Sequence, residues 1–268
     1  MSLPPNDPPT TPPPALEIVG LTKRFGAKVA VDNLSLSVPV GCLFGLVGPN
    51  GAGKTTTLSM VTGLLRPNAG QVRVSGDDVW TDPIRAKTHM GVLPDGMRLF
   101  DRLSGRELLR LVGTMRRVPT DEVESRSAAL FDTLGLTQDA DTLAVDYSAG
   151  MTKKIGLACA LIHNPRLLIL DEPLEAVDPV SSQSIRALLR QFVGGGGTVV
   201  ISSHVMELVE SLCDAVGVIA NGRVLAVGDT EEVKQGKPLQ DRFVELVGGH
   251  SPLEQEGLAW LGRSSDFS

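Results

Sequence analysis

Apolar and polar residues alternate near the start of the chain, over residues 16–25 and 28–38, with Gly26-Ala27 between the two stretches. Alternation with a period of two predicts β-strands that bury one face, and a glycine at the break predicts a turn. We therefore expect two antiparallel strands here. The next short apolar run, residues 42–47, predicts a further strand. The unbroken aliphatic run 167–170 predicts a strand that is buried on both faces.

The apolar period changes to 3.6 between residues 103 and about 143. This stretch predicts a helical lobe inserted into the domain, which we delimit as residues 96–165. Elsewhere, predicted strands and helices alternate along the chain. The further strands are 71–75, 90–93, 167–170, 198–202, 216–220 and 223–227, and the further helices are 56–65, 151–162, 178–192, 205–213, 230–235 and 239–247.

The composition indicates a single large domain, or a core with an inserted lobe, because the chain has 268 residues, 42% of them hydrophobic. The net charge of −6 argues against a nucleic-acid surface, which needs clustered Lys and Arg. Three cysteines, Cys42, Cys159 and Cys213, lie far apart in apolar runs and are expected to be reduced core residues. The four scattered histidines do not suggest a structural zinc site.

Both ends of the chain are expected to form tails outside an ordered domain at residues 15–247. Residues 1–14 contain seven prolines and no apolar h-region, which predicts an extended tail rather than a signal peptide. A proline-rich docking ligand is the alternative. In the C-terminal tail, residues 248–268, a small docking patch around Trp260 is an alternative to a frayed end. No apolar run approaches the roughly 20 residues of a membrane span.

Residues 48–55 have the sequence G-x-x-x-x-G-K-T and lie between a predicted strand and a predicted helix. This is the context of a phosphate-binding loop, in which glycines let successive backbone N–H groups point at one anion. Lys54 can reach the β- and γ-phosphates, and Thr55 can ligate Mg²⁺. The predicted binding residues are Gly48, Pro49, Asn50, Gly51, Ala52, Gly53, Lys54, Thr55 and Thr56.

Polar residues also follow two other predicted strands. Asp171 ends the apolar run 167–170 and is placed to hold Mg²⁺. Glu172 follows it, and because neighbouring strand residues face opposite ways, it is free to orient or deprotonate an attacking water. His204 follows strand 198–202 and can bond the γ-phosphate. In a mostly parallel sheet these residues converge at the carboxyl ends of the strands.

These motifs resemble those of the nucleotide-binding subunit of an ABC transporter, over about residues 16–247. Walker A matches at residues 48–55, and Walker B with its catalytic acid matches at 167–172. The family signature L-S-G-G-Q corresponds to Tyr147-Ser148-Ala149-Gly150-Met151. The resemblance also matches Asp178 to the D-loop aspartate, His204 to the switch histidine, and Phe25 to the aromatic residue that stacks on adenine.

The resemblance implies an α/β fold, a P-loop NTPase core with a mostly parallel sheet, an N-terminal antiparallel β subdomain and an inserted α-helical lobe. It implies ATP and Mg²⁺ as cofactors, and a composite site in which Ser148, Ala149, Gly150 and Met151 complete the ATP site of a second subunit. The partners implied are a membrane permease and either an identical or a related ATPase subunit. The implied location is cytoplasmic, peripheral on the inner face of the cell membrane.

Three departures from the family pattern are visible. Asp95 stands at the Q-loop position, where the family usually has glutamine, and an anionic acceptor there can still reach Mg²⁺ but allows slower or differently coupled hydrolysis. Ala149 and Met151 replace Gly and Gln of the signature, and Leu174 and Ala176 replace Thr and Gly ahead of the D-loop aspartate. The groups that hydrolysis requires remain, so we expect an active ATPase.

The acidic residue at the Q-loop position resembles ATP-binding subunits of ABC-2-type exporters, which handle drugs, antibiotics, ions or envelope polymers. The same resemblance is seen in residues 93–96 running into 103–108, in the Tyr-Ser-x-Gly-Met signature and in residues 239–248. Three alternatives stay open: a soluble ABC protein of translation or DNA repair, an import ATPase, and a catalytically weak scaffold that binds ATP. The acidic pI of about 5.3 and the lack of sustained heptads between Walker A and the signature argue against the soluble class.

Overall fold

Two β-sheets organise residues 13–248, the part of the chain that this computed structural model describes. The first sheet is antiparallel, with the order β2-β1-β4-β5, and consists of β1 (Leu16–Phe25), β2 (Lys28–Val38), β4 (Ala69–Val74) and β5 (Asp77–Asp78). The second has the order β10-β9-β3-β8-β7-β6 and consists of β3 (Leu43–Val47), β6 (Met90–Leu93), β7 (Leu167–Asp171), β8 (Thr198–Ser203), β9 (Ala215–Ala220) and β10 (Arg223–Asp229).

The second sheet is parallel except for β10, which pairs antiparallel with β9. The helices, in chain order, are α1 (Lys54–Val61), α2 (Pro83–Thr88), α3 (Gly105–Met115), α4 (Thr120–Thr133), α5 (Ala149–Leu161), α6 (Pro179–Gly194), α7 (Met206–Leu212), α8 (Thr230–Lys234) and α9 (Leu239–Leu246). Within residues 13–248, none of them combines the length and the apolar character that crossing a membrane requires.

The predicted α/β fold class is confirmed, with an antiparallel sheet near the N-terminus, a mostly parallel second sheet and helices α3–α5 between β6 and β7. Strands β1, β2 and β6 have the predicted bounds. The delimitation of the domain and of the lobe stays a prediction. Most of the predicted N-terminal tail and the patch around Trp260 lie outside the described residues.

Several predicted boundaries were wrong. Helix α1 begins at Lys54 and not at residue 56, because Gly53 adopts the left-handed cap conformation directly before it. The helical stretch 103–143 is divided between α3 and α4, because Arg117 has a φ of +58° and Pro119 follows. Sequence reasoning missed the two-residue strand β5, which has no apolar pattern, and α2, although its Asp82 cap followed by Pro83 was a readable start signal.

The central strands of the parallel sheet are buried on both faces, as the unbroken aliphatic run 167–170 predicted for β7. Every residue of β3, β7 and β8 is buried. In β7, Leu168 and Leu170 belong to the apolar core beside α3–α7, whereas Leu167 and Ile169 belong to the core shared with α1 and the antiparallel sheet. This alternation leaves only the strand ends for polar chemistry.

Strand order places the polar ends of three strands side by side. Strand β8 lies between β3 and β7, and its Ser203 and Ser202 are in register with Val47 and Asp171, respectively. The loop after β3, the acids at the end of β7 and the histidine after β8 therefore meet at one edge of the sheet, as expected for a doubly wound fold.

Helix α3 begins with a capping box. The Ser104 hydroxyl accepts a hydrogen bond from the backbone N–H of Glu107, and the Glu107 carboxylate accepts one from the backbone N–H of Ser104. Ser104 is buried, so water cannot replace this cap. The capping box fixes the position at which the chain, after leaving β6, enters α3, the first of the helices between β6 and β7.

We expect Ser104→Ala to lower the free energy of unfolding by about 1 kcal/mol, because it removes a buried helix cap. Urea denaturation followed by circular dichroism measures the change. The control is Ser184→Ala, the same substitution inside α6, which should change stability by only a few tenths of a kcal/mol. Equal urea midpoints for the two variants would show that the cap does not stabilise the lobe.

Candidate active site

The loop predicted to bind phosphate is packed closely against backbone atoms of both sheets. Gly53 has a φ of +105°, and a Cβ atom there would lie 2.6 Å from the carbonyl oxygen of Ala30 on β2. A Cβ atom on Gly48 would lie 2.1 Å from the carbonyl oxygen of Ile219 on β9. The backbone N–H of Gly222, in the β9–β10 turn, donates to the carbonyl oxygen of Ala52 at 2.9 Å. Both sheets therefore shape this loop.

A cleft of about 400 Å³ lies in front of the loop. Its walls combine the loop, the residues after β6, β7 and β8, and part of β2. The lining residues are Lys28, Ala30, Asn50, Gly51, Ala52, Gly53, Lys54, Thr55, Thr56, Asp95, Glu172, Glu175 and His204. A larger groove of about 630 Å³ between α4 and α6 contains none of the predicted site residues, so size alone does not locate the site.

Three predicted side chains meet within this cleft. The Glu172 Oε1 atom lies 3.8 Å from Lys54 Nζ and 3.0 Å from His204 Nδ1. Lys54 Nζ also donates to the carbonyl oxygen of Gly48 at 2.7 Å. Burial lowers the pKa of Lys54, although the negative charges of Glu172 and Asp171 partly oppose this shift. The Lys54 ammonium group is thus poorly hydrated, and a bound anion would stabilise its charge.

Glu172 directly follows β7 and does not continue the extended conformation of the strand. Its φ of +47° is left-handed, a conformation that costs a non-glycine residue about 1–3 kcal/mol. Its backbone N–H donates to the Ser202 hydroxyl at 3.0 Å, and its carbonyl oxygen accepts a hydrogen bond from Lys153 Nζ at 2.8 Å. These two bonds hold the turn that separates the side chain of Glu172 from that of Asp171. The prediction rested on alternation along a strand, whereas β7 ends at Asp171 and the left-handed turn at Glu172 causes the separation.

Asp171 is buried, with 3% of its surface exposed, and accepts a short hydrogen bond from the Ser202 hydroxyl. Asp171, Thr55 and Asp95 all line a cavity of about 80 Å³. Two carboxylates and a hydroxyl fit Mg²⁺, which uses one or two carboxylates together with phosphate oxygens and water. No group of three or more His, Cys, Asp or Glu among residues 13–248 could hold a metal ion alone.

Phe25 lies at the end of β1, and 51% of its surface is exposed. It is paired in register with Lys28, which lines the cleft, and Lys23 Nζ lies 5.3 Å from the centre of its ring. Phe25 thus stands beside the cleft and is absent from its walls. A stacking role for the exposed ring face stays a prediction.

The signature residues are not part of this cleft. Ser148 caps α5, with its hydroxyl accepting a hydrogen bond from the backbone N–H of Met151 at 3.2 Å. Ser148 and Ala149 are exposed, whereas Gly150 is half-buried. The N-terminus of this helix, where backbone N–H groups attract anions, therefore lies outside the lining of the chain's own cleft.

Asp178 is likewise exposed and outside the cleft. Its carboxylate caps α6 by accepting a hydrogen bond from the backbone N–H of Ser181 at 2.9 Å. Hydrogen bonds from Ser181 lower the pKa of Asp178. The local role that the structure gives Asp178 is thus to begin a helix.

Sequence reasoning missed two residues of the site, Ser202 and Lys153. A polar residue near the end of the otherwise apolar strand β8 was a readable signal for Ser202. Lys153 carries no comparable signal, because only the folded chain brings α5 beside the end of β7.

A sequence model of the family described as ABC transporter matches residues 31–175. The chain is 38% identical over 213 residues to a linearmycin resistance ATP-binding protein of Bacillus subtilis (strain 168), covering 80% of this chain and 68% of that protein. It is 37% identical over 249 residues to a daunorubicin/doxorubicin resistance ATP-binding protein of Streptomyces peucetius, covering 93% of this chain and 76% of that protein.

A Nod factor export ATP-binding protein of Ralstonia nicotianae (strain ATCC BAA-1114 / GMI1000) is 37% identical over 255 residues, covering 95% of this chain and 79% of that protein. Among solved structures, an ATP binding subunit of an ABC transporter superposes with a TM-score of 0.82 at 27% identity, covering 87% of this chain and 99% of that chain. The likeness thus extends over most of the fold described above.

We expect Ser202→Ala to lower the free energy of unfolding by about 2 kcal/mol, because it leaves the buried Asp171 carboxylate without this hydrogen bond. The control is Ser203→Ala, which replaces the next buried serine and removes only a bond that its hydroxyl accepts from the backbone N–H of Val205. That loss should cost about 1 kcal/mol. Urea denaturation of both proteins compares them, and equal losses would contradict a special role for Ser202.

Proposed function

The chain belongs to the ABC transporter ATP-binding family, and on that premise we propose that its cleft binds and hydrolyses ATP to power a separate membrane permease. The observation that carries this proposal is the contact of one carboxylate, Glu172, with both Lys54 and His204 at the mouth of the phosphate-binding loop. This contact supports an arrangement in which a cation, a base and a hydrogen-bonding histidine would surround a terminal phosphate.

The backbone N–H groups of residues 48–55 and the side chain of Lys54 would hold the phosphates of ATP. Thr55, Asp171 and Asp95 would hold Mg²⁺, which when bound neutralises developing charge on the phosphate oxygens. The exposed hydroxyl of Thr55 and the buried carboxylate of Asp171 line one small cavity beside the loop, which supports this assignment.

Glu172 would act as the general base that orients and deprotonates the attacking water. A terminal phosphate competes with Glu172 for Lys54, because both are anionic. Its arrival would shift the lysine toward the nucleotide and leave the Glu172 carboxylate able to accept a proton. His204, 3.0 Å from that carboxylate, would hold it in place and contact the phosphate.

The ATP site is proposed to be completed by a second subunit. The exposed N-terminus of α5, capped by Ser148, offers N–H groups to an anion but lies outside the chain's own cleft. A second copy, or a related ATPase subunit, that docks head to tail would bring its signature residues, Ser148, Ala149, Gly150 and Met151, against the ATP held here.

The partner permease is proposed to be an exporter. The relatives described above are drug-resistance and Nod factor export proteins, and the helices described here contain no membrane span. The transported substrate would belong to the drugs, antibiotics, ions or envelope components, and the subunit would lie at the inner face of the cell membrane. A second candidate, an ATP-binding scaffold with weak hydrolysis, is favoured by one observation, the acidic Asp95 in the cleft wall.

We expect Glu172→Gln to lower kcat for ATP hydrolysis at least about 100-fold while ATP still binds, because the variant lacks the proposed base. Phosphate release and nucleotide affinity are measured on the complex with the permease in lipid. Lys54→Ala should instead abolish binding. Glu175→Gln, the same chemical change elsewhere in the cleft, is the control and should retain most activity. Full hydrolysis by Glu172→Gln would contradict the proposed role of Glu172.

We also expect Glu172→Gln protein to dimerise in saturating MgATP, because ATP that is bound but not hydrolysed would join two composite sites. Sedimentation velocity should show a dimer with MgATP and a monomer with MgADP. The double variant Glu172→Gln/Lys54→Ala is the control and should stay monomeric in both. A monomer in MgATP would exclude the homodimer and leave a related subunit as the partner.

A further inference from the structure

We propose that Lys153 is a positioning residue for hydrolysis, which holds the backbone of Glu172 and is itself held by Asp95. The inference rests on the proposed role of Glu172 as the base. Lys153 does not line the 400 Å³ cleft, and it follows the signature on α5. It would act through Glu172 and not through a contact with the nucleotide.

The geometry of Lys153 connects three parts of the site. Its Nζ atom donates to the carbonyl oxygen of Glu172 at 2.8 Å and lies 3.4 Å from Asp95 Oδ1. Only 17% of its side chain is exposed, so the ammonium group has exchanged much of its water for these two oxygens. Because the donor is charged, this hydrogen bond to the carbonyl oxygen is stronger than a hydrogen bond from a neutral amide N–H group.

The bond to the carbonyl oxygen fixes the direction of the Glu172 side chain. Glu172 is in the left-handed region, and its backbone is held on one side by the Ser202 hydroxyl and on the other by Lys153. Without the second bond, the residue can relax toward more favourable backbone angles. Its carboxylate would then move away from Lys54 and His204, which it contacts at 3.8 and 3.0 Å.

The ion pair with Lys153 gives a physical reason for an aspartate, and not a glutamine, at position 95. A neutral glutamine at this position could not form an ion pair with Lys153, whereas the aspartate can. The pair joins the segment after β6 to α5, the helix whose exposed start carries Ser148. A shift of α5 would therefore move the Lys153 side chain and change its hydrogen bond to the carbonyl oxygen of Glu172. This would connect the proposed subunit interface to the proposed base within the same chain.

The test compares Lys153→Met with Lys153→Arg in the full chain bound to its permease. Lys153→Met keeps the length of the side chain but loses the charge and the donor. We expect its kcat to fall about tenfold, as the loss of one charge-assisted hydrogen bond allows, while KM and ATP affinity stay within about twofold. Lys153→Arg keeps both properties and should retain most of the wild-type kcat.

Lys237→Met is the matched control. Lys237 also forms an ion pair, with Glu245, but it does not line the cleft. It should hydrolyse ATP at the wild-type rate. A merely structural role for Lys153 would lower the melting temperature without separating kcat from KM, so thermal unfolding of each variant is measured as well. If Lys153→Met does not fold, Lys153→Gln replaces it, with a kcat expected between wild type and Glu172→Gln.

Two failures can be told apart. A wild-type kcat in Lys153→Met or Lys153→Gln, with Glu172→Gln inactive, overturns the positioning role and leaves the proposed function intact. Full activity of Glu172→Gln instead overturns the proposed base and, with it, this inference. An equal loss in Lys153→Met and Lys153→Arg would also overturn the positioning role, because the arginine retains the charge and the donor.

Discussion

The end of β7 is the constraint on which the site depends. Asp171 stays within the strand and is buried, whereas Glu172 turns into a left-handed conformation and reaches the cleft. Both need the Ser202 hydroxyl, which donates to the carboxylate of one and accepts from the backbone of the other. The register of β7 against β8 supplies that hydroxyl, so the pairing of two apolar strands decides where two acids point.

The parts of the fold that could be predicted are those with local causes. Alternating residues predicted β1 and β2, and the motif at residues 48–55 predicted the loop between β3 and α1, which lines the cleft, because both patterns act within a few residues. The contact between Asp95 and Lys153 could not be predicted, since these residues are far apart in sequence and meet only after α5 packs beside β6. The same holds for the cleft wall contributed by Lys28.

The signature residues do not line the cleft of their own chain, and the proposed function depends on this separation. One chain holds the loop at residues 48–55, the acids and the histidine at one sheet edge, and the exposed start of α5 lies outside the cleft that they line. The proposed division of the ATP site between subunits makes closure of the site and association of the subunits the same event.

The glycines of the phosphate-binding loop have a consequence for how such a sequence can change during evolution. Carbonyl groups of β2 and β9 leave no room for a Cβ atom on Gly53 and Gly48, and the turn at Gly222 is bonded to the loop as well. These close contacts are made by the backbone of the two sheets and not by a ligand. Selection for glycine at positions 48 and 53 is therefore set by the meeting of two sheets, and it would persist in a descendant that had lost its ligand.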